Sequence, residues 1–175
     1  MKTICTMMAA IALTAGYVLS APAQDTRESA IAGMRKTEAK EMDPSFTTAA
    51  PLAQKLVDDQ LAKHPEVILM AIHGGAPKYD IIASNFGRIG KLGDEDDLRC
   101  IKTGKNNLEV DKTGKHFEVE LPLKDKTGHT VGALGVVFNY KKGDDKVAMA
   151  KISEQIRDEM KAQLPTESAL FASTD

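Results

Sequence analysis

Residues 119–140 read VELPLKDKTGHTVGALGVVFNY, and the fold turns on how this stretch divides. Asp125-Lys126-Thr127-Gly128 is turn chemistry: the Asp side chain bonds its own backbone, and Gly supplies a positive φ. Ahead of the turn, Phe117, Val119 and Leu121 alternate with His116, Glu118 and Glu120, which predicts a strand with one apolar and one polar face. Behind it, residues 130–140 carry Val131, Ala133, Gly135 and Val137 on one side and Gly132, Leu134, Val136 and Phe138 on the other. A strand apolar on both sides is covered on both sides, so this one belongs in the middle of a sheet.

Working outward, Asp111-Lys112-Thr113-Gly114 repeats the same turn, and a third Lys-Thr-Gly occurs at residues 102–104. The segments between the copies are strand-like, so they mark a meander and not a domain repeat. Further upstream, Thr47-Thr48-Ala49-Ala50-Pro51 offers hydroxyl caps and a first-turn proline. Leu52, Ala53, Leu56, Val57 and Leu61 then follow at helical spacing, and the helix should stop at His64-Pro65. Val67 to Ile72 reads as a buried strand, Gly74-Gly75-Ala76-Pro77 breaks it, and residues 79–84 resume as the second arm of a hairpin. Residues 94–102 suit a short helix. Near the C-terminus, Met149, Ile152, Ile156, Met160 and Leu164 form one stripe of a helix opened by Gly143-Asp144-Asp145 and closed by Pro165. The predicted class is α+β: a five-stranded antiparallel sheet with a long N-terminal helix, a short helix after the second strand and a C-terminal helix.

The composition of the 175-residue chain, 42% hydrophobic and 27% charged, suits one globular domain. A formal net charge of −2 without a basic block excludes an electrostatic footprint for nucleic acid or anionic lipid. Residues 1–23, MKTICTMMAAIALTAGYVLSAPA, have the layout of a secretory signal peptide. Lys2 is the basic start, an apolar run follows, and Ala21-Pro22-Ala23 is a small-x-small cleavage site. The apolar run is shorter than a bilayer span, and Cys5 stands at its front and not at its end, so neither a membrane nor a lipid anchor is expected after cleavage. The expected location is therefore periplasmic or secreted. Cys100 would then be the one remaining cysteine, read as a small buried residue, with a dimer-linking or redox-active thiol as the competing role. The expected layout is leader 1–23, charged lead-in 24–46, domain 47–164 and polar tail 165–175.

The element order, with IIASNFGRIGKLGDEDDL at residues 81–98 and the strand pair at 119–140, resembles the extracytoplasmic PAS-like single Cache sensor domains of the citrate-sensor type. In that family a strand ending in Ser leads through a turn and Ile-Gly-Lys into an acid-rich helix start. The resemblance implies a pocket between the sheet and the loop-helix layer that binds a small molecule, often a carboxylate or amino acid. It also implies signalling through the flanking helices. The additional cationic and His positions of citrate-type sensors find no match here, and no membrane segment follows the last helix.

The candidate ligand-binding residues are Arg88, Lys91, His73, Ser84 and Asn85. Arg88 and Lys91 lie among Gly87, Gly90 and Gly93, where backbone N–H groups can approach an anion and the cations neutralise it. The same residues equally suit a turn in which Arg88 pairs with the acids that follow. His73 closes the first strand, where a hydrogen-bonded structural role competes with ligand contact. Ser84 and Asn85 are short donors that also suit the turn they enter. Asp94-Glu95-Asp96-Asp97 is explained by a helix start and lacks calcium-loop spacing, so no metal is assigned. No cofactor is expected, and no nucleophile elbow, zinc helix or dinucleotide loop is present, so the chain does not read as an enzyme.

The function expected is reversible binding of a small molecule, with a carboxylate or other small anion favoured by Arg88 and Lys91, and occupancy reported to a membrane receptor. The alternative is a structural or interaction protein with a filled PAS-like core that forms a homodimer through its helices.

Overall fold

The computed structural model describes residues 24–173, and the leader read at residues 1–23 lies outside the described residues. Five strands form one antiparallel sheet: β1 (Val67–Gly74), β2 (Asp80–Ser84), β3 (Asn107–Val110), β4 (His116–Lys124) and β5 (Thr130–Asn139), in the order β2-β1-β5-β4-β3. The helices are α1 (Arg27–Gly33), α2 (Pro51–Lys63), α3 (Glu95–Thr103) and α4 (Lys146–Lys161), with short 3-10 turns at Ala39–Glu41 and Glu167–Phe171. Among the described residues no helix is long and apolar enough to cross a membrane.

The five-stranded sheet, the short helix after β2 and the C-terminal helix follow the sequence pattern. A long N-terminal helix is not supported. The first helix described is the seven-residue α1, and α2 comes after a further stretch of irregular chain. Both Asp-Lys-Thr-Gly turns form as read. Asp111 Oδ1 accepts from the backbone N–H groups of Lys115 and His116, and Asp125 Oδ1 from those of Thr127 and His129. The remaining Lys-Thr-Gly does other work, because Gly104 ends α3 in the left-handed conformation. The start of α2 has no hydroxyl cap. Pro51 leaves no N–H to satisfy at the first helical position, and Ala50 donates its own N–H to the Ile82 carbonyl, tying the helix start to the sheet.

One face of the sheet carries the main core. Phe117, Val119, Leu121 and Leu123 of β4, Leu134, Val136 and Phe138 of β5, and Met70 and Ile72 of β1 pack against Leu56, Val57, Ile156 and Met160 of α2 and α4. Full burial of a side chain of this size contributes about 1.5–3 kcal/mol, so this face supplies most of the hydrophobic stabilisation. The central strands close on each other tightly. A Cβ at Gly132 would lie 2.0 Å from the His73 carbonyl oxygen, so a side chain there would force β1 and β5 apart.

The opposite face is covered differently. The lead-in, rich in charge, runs as a strap across it. Ala30, Ile31 and Met34 of the strap form a small second cluster with Ile68, Leu69, Phe86 and Val137. Arg27 fastens its start by donating from Nε to the Val67 carbonyl and from Nη2 to those of Leu61 and His64, each at 2.8 Å. Those acceptors include carbonyls at the end of α2 that lack helical partners. The strap's far end pairs with the glycine-rich loop, where Asp43 donates to the Gly90 carbonyl at 2.7 Å and Leu92 to that of Glu41 at 2.8 Å.

Candidate functional site

A cavity of about 380 Å3 opens on the strap-covered face, between the sheet, the loop at residues 85–94 and the first turn of α3. Its apolar part comes from Met34, Leu69, Ile81, Phe86 and Val137. Seven acidic side chains line it against two cationic ones, Arg88 and Lys91, so its field becomes strongly anionic as they ionise.

Three elements converge to make that field. Asp94 caps α3, accepting through Oδ1 from the N–H groups of Asp96 and Asp97, and Asp97 Oδ2 accepts in return from the Asp94 N–H at 2.9 Å. This is the capping box expected of an acidic helix start. It also fixes the Asp97 carboxylate facing inward, 4% exposed, against the polar side of β4. There the strand's alternation presents Glu118 and Glu120, the very residues whose neighbours Phe117, Val119 and Leu121 build the opposite core. Ligand oxygens of Asp94, Asp97 and Glu120 lie within 4.8 Å of one another.

So many carboxylates in a partly dry space resist ionising together. Burial, with Asp97 and Glu118 nearby, pushes Glu120 up to about 8. Loss of hydration in the cavity and the charges of Asp97, Asp94 and Glu109 push Glu118 to about 7, although its side chain also reaches water. Asp97 is raised as well, by burial and by Asp94. Lys91 is the counter-charge within reach, with Nζ 3.5 Å from Asp94 Oδ2.

His73 stands at the end of β1 beside this group. Its Nδ1 lies 3.2 Å from the Tyr79 carbonyl oxygen and 3.4 Å from Asp97 Oδ2. A carbonyl only accepts, so Nδ1 carries the hydrogen. Burial pulls the ring's basicity down to about 4, so at neutral pH the ring is uncharged and its contact with Asp97 is not an ion pair.

The residues singled out in the sequence divide into two sets. His73, Lys91 and Arg88 line the cavity. Arg88 nonetheless spends a guanidinium N–H on the Arg35 carbonyl, and its own backbone is left-handed at φ 59°, uncommon for a residue with a side chain. Ser84 donates to the Gly87 carbonyl, and Asn85 bridges β1 by accepting from the Met70 N–H and donating to the Ile68 carbonyl, both at 2.9 Å. Their polar atoms are thereby engaged within the turn. Gly90 serves a close approach, because a Cβ there would sit 2.3 Å from the Phe46 carbonyl oxygen. Glu118 and Glu120 went unnoticed as site residues. The signal was two acids spaced i, i+2 on a strand whose other face is apolar, and it acquires meaning only once α3 is known to lie opposite.

Two other features lie outside the acidic cluster. A groove of about 590 Å3 lies between the start of the strap, β5 and α4; the acids Asp25, Glu28, Glu66 and Asp144 line it with Arg27, and among the described residues they form no group close enough to share a metal ion. Cys100 is 1% exposed on α3, and burial with Glu120 and Asp97 pushes its thiol up to about 12, which disfavours the reactive thiolate.

No protein-family model and no curated protein matches the chain. Among solved structures it is similar to a GAF domain from A. aeolicus (15% identity, 68% of this chain and 81% of that one, TM-score 0.49). It is also similar to a protein described as a GAF sensor from Burkholderia vietnamiensis (12%, 67% and 76%, TM-score 0.48). A third is a type II free methionine-R-sulfoxide reductase from Thermoplasma acidophilum (13%, 65% and 92%, TM-score 0.44). The Cache resemblance drawn from the loop and the strand pair is therefore corrected, since the similar structures are GAF domains. The physical reason is that a hairpin, a glycine-rich loop and a meander state an α+β sheet without stating which family built it. At these scores the likeness assigns neither a ligand nor an activity.

Proposed function

We propose that the protein reversibly binds a small organic cation, a protonated amine, in the acidic cavity and acts as a sensor-like module. The observation that carries this is the meeting of Asp97, Glu118 and Glu120 with Asp94 in one cavity, where Lys91 is the nearby cation. A cationic ligand would relieve their mutual repulsion and release the protons that burial makes them hold. Phe86, Leu69 and Val137 would cover its hydrocarbon part. The leader-like residues 1–23 support a periplasmic or secreted location, and a membrane receptor would read occupancy.

Two other ligands have an observation each in their favour. Asp94, Asp97 and Glu120 are spaced for a divalent metal ion, and Arg88 with Lys91 favours the carboxylate expected from the sequence. A thermal-shift panel at pH 7.5 separates the three, using primary amines of graded length, calcium and manganese chlorides, and dicarboxylates. Stabilisation by amines that disappears in Glu118→Gln and Glu120→Gln is expected. Stabilisation by dicarboxylates alone, lost in Lys91→Ala, would overturn the amine reading.

A further inference from the structure

His116, at the start of β4, has a carboxylate against each ring nitrogen. Nδ1 lies 3.0 Å from Asp111 Oδ2 and Nε2 lies 3.1 Å from Asp25 Oδ2. An ionised carboxylate only accepts, so both contacts are hydrogen bonds only when both nitrogens carry hydrogen, that is, in the imidazolium form. The two acids are not held alike. Asp111 is fixed by its own turn, taking bonds from the Thr113 hydroxyl and the backbone of Lys115 and His116. Against its partial dehydration, those bonds keep its carboxyl at about 2. Asp25 belongs to the strap. Asn139 of β5 holds its backbone, accepting from the Asp25 N–H at 3.2 Å and donating to its carbonyl at 2.7 Å, while His116 holds its carboxylate to the sheet.

Loss of one proton therefore has an uneven outcome. The neutral ring keeps Nδ1–H on Asp111, and the Nε2 lone pair then faces the Asp25 carboxylate. We propose that His116 is a protonation-controlled latch: as imidazolium it pins the start of the strap, residues 25–34, to the sheet, and as neutral imidazole it leaves that start held by Asn139 and Arg27, and looser. The strap's Met34 and the latch residues Asp111 and His116 line the acidic cavity, so release would loosen one side of it. The charged groups around the latch are Asp25 from the strap, Asp111 with Lys112 and Lys115 from the turn, and Glu118 and Glu109 from the same cavity wall on β4 and β3. Asn139, the register partner of His116 on β5, is uncharged. The latch does not depend on what the cavity binds.

Hydrogen exchange read by mass spectrometry on the full chain tests this, with rates corrected for intrinsic exchange at pH 5.5 and 8.5. Between the two pH values, protection of residues 25–34 should fall roughly threefold to tenfold more in the wild type than in His116→Gln, the scale of one partly exposed charge-assisted bond, because ionisation of the cavity carboxyls is common to both chains. Asp25→Asn can donate to the neutral ring and accept from the charged one, so its strap should respond to pH no more than that of His116→Gln. It also keeps the test decisive if His116→Gln does not fold. Equal pH dependence in the wild type and His116→Gln, or an Asp25→Asn strap that loosens at high pH as much as the wild type, would overturn the proposal.

Discussion

The two faces of β4 are made from alternate residues of one nine-residue strand, yet they obey opposite rules. On one side Phe117, Val119, Leu121 and Leu123 pack into a dry core under α2 and α4. On the other Glu118 and Glu120 meet Asp97 of α3 at the cavity, where lost hydration raises the cost of charge on Glu120 and Asp97 and, less, on Glu118, which reaches water. The first face stabilises the chain by removing apolar surface from water. The second consumes part of that stability to keep a set of carboxyls poised for a partner. The contrast teaches that the polar side of an amphipathic strand is not always the solvent side.

The largest effect should come from the core face. Leu121→Ala removes a fully buried side chain and is expected to cost about 2–5 kcal/mol in urea denaturation. A loss below about 1 kcal/mol would mean that this face is not the main core.

Next in size is the pH dependence of the acidic face. Glu118 and Glu120 hold their protons more tightly folded than unfolded, as does Asp97. The stability they contribute is thus complete below the ordinary carboxyl pKa and is lost as pH rises through about 7 to 8. Thermal denaturation should accordingly show a higher Tm at pH 5 than at pH 8.5. Glu120→Gln should recover about 1–2 kcal/mol at the higher pH, since Glu120 is 8% exposed. Glu118→Gln should recover less, because Glu118 reaches water and is screened. A Tm that rises with pH across this range would erase the distinction between the faces.

The smallest effect is expected at the rim. Arg88→Gly relieves a left-handed backbone and forfeits one bond to the Arg35 carbonyl, two changes of about 1 kcal/mol and opposite sign. Stability should stay within about 0.5 kcal/mol of the parent in the same urea assay. A larger loss would show that Arg88 anchors the strap more firmly than its single bond suggests.

The lead-in shows why part of the molecule was hidden in the sequence. Its scattered Ile31 and Met34 give no helical stripe long enough to notice, and Arg27 is one cation among several. Only the folded chain supplies the carbonyls of Leu61, His64 and Val67 that Arg27 gathers, and those come from positions 34 to 40 residues away. Arg88, Lys91 and His73 could be picked out because glycines and a strand end mark them locally. The charge of the cavity they line could not.

What the sequence determined by itself was periodic and local: β4 from its alternation, β1 and β5 from their apolar runs, α4 from its stripe, the two turns from Asp-Lys-Thr-Gly, the start of α3 from its acids. These depend on neighbours within a few residues, so one sequence suffices. The order β2-β1-β5-β4-β3, the strap across the outer face, and the meeting of Asp97 with Glu118 and Glu120 some twenty residues further on were decided by the tertiary structure. Electrostatic and hydration costs depend on distance in space, and that distance exists only after the sheet has closed and α3 has settled on it.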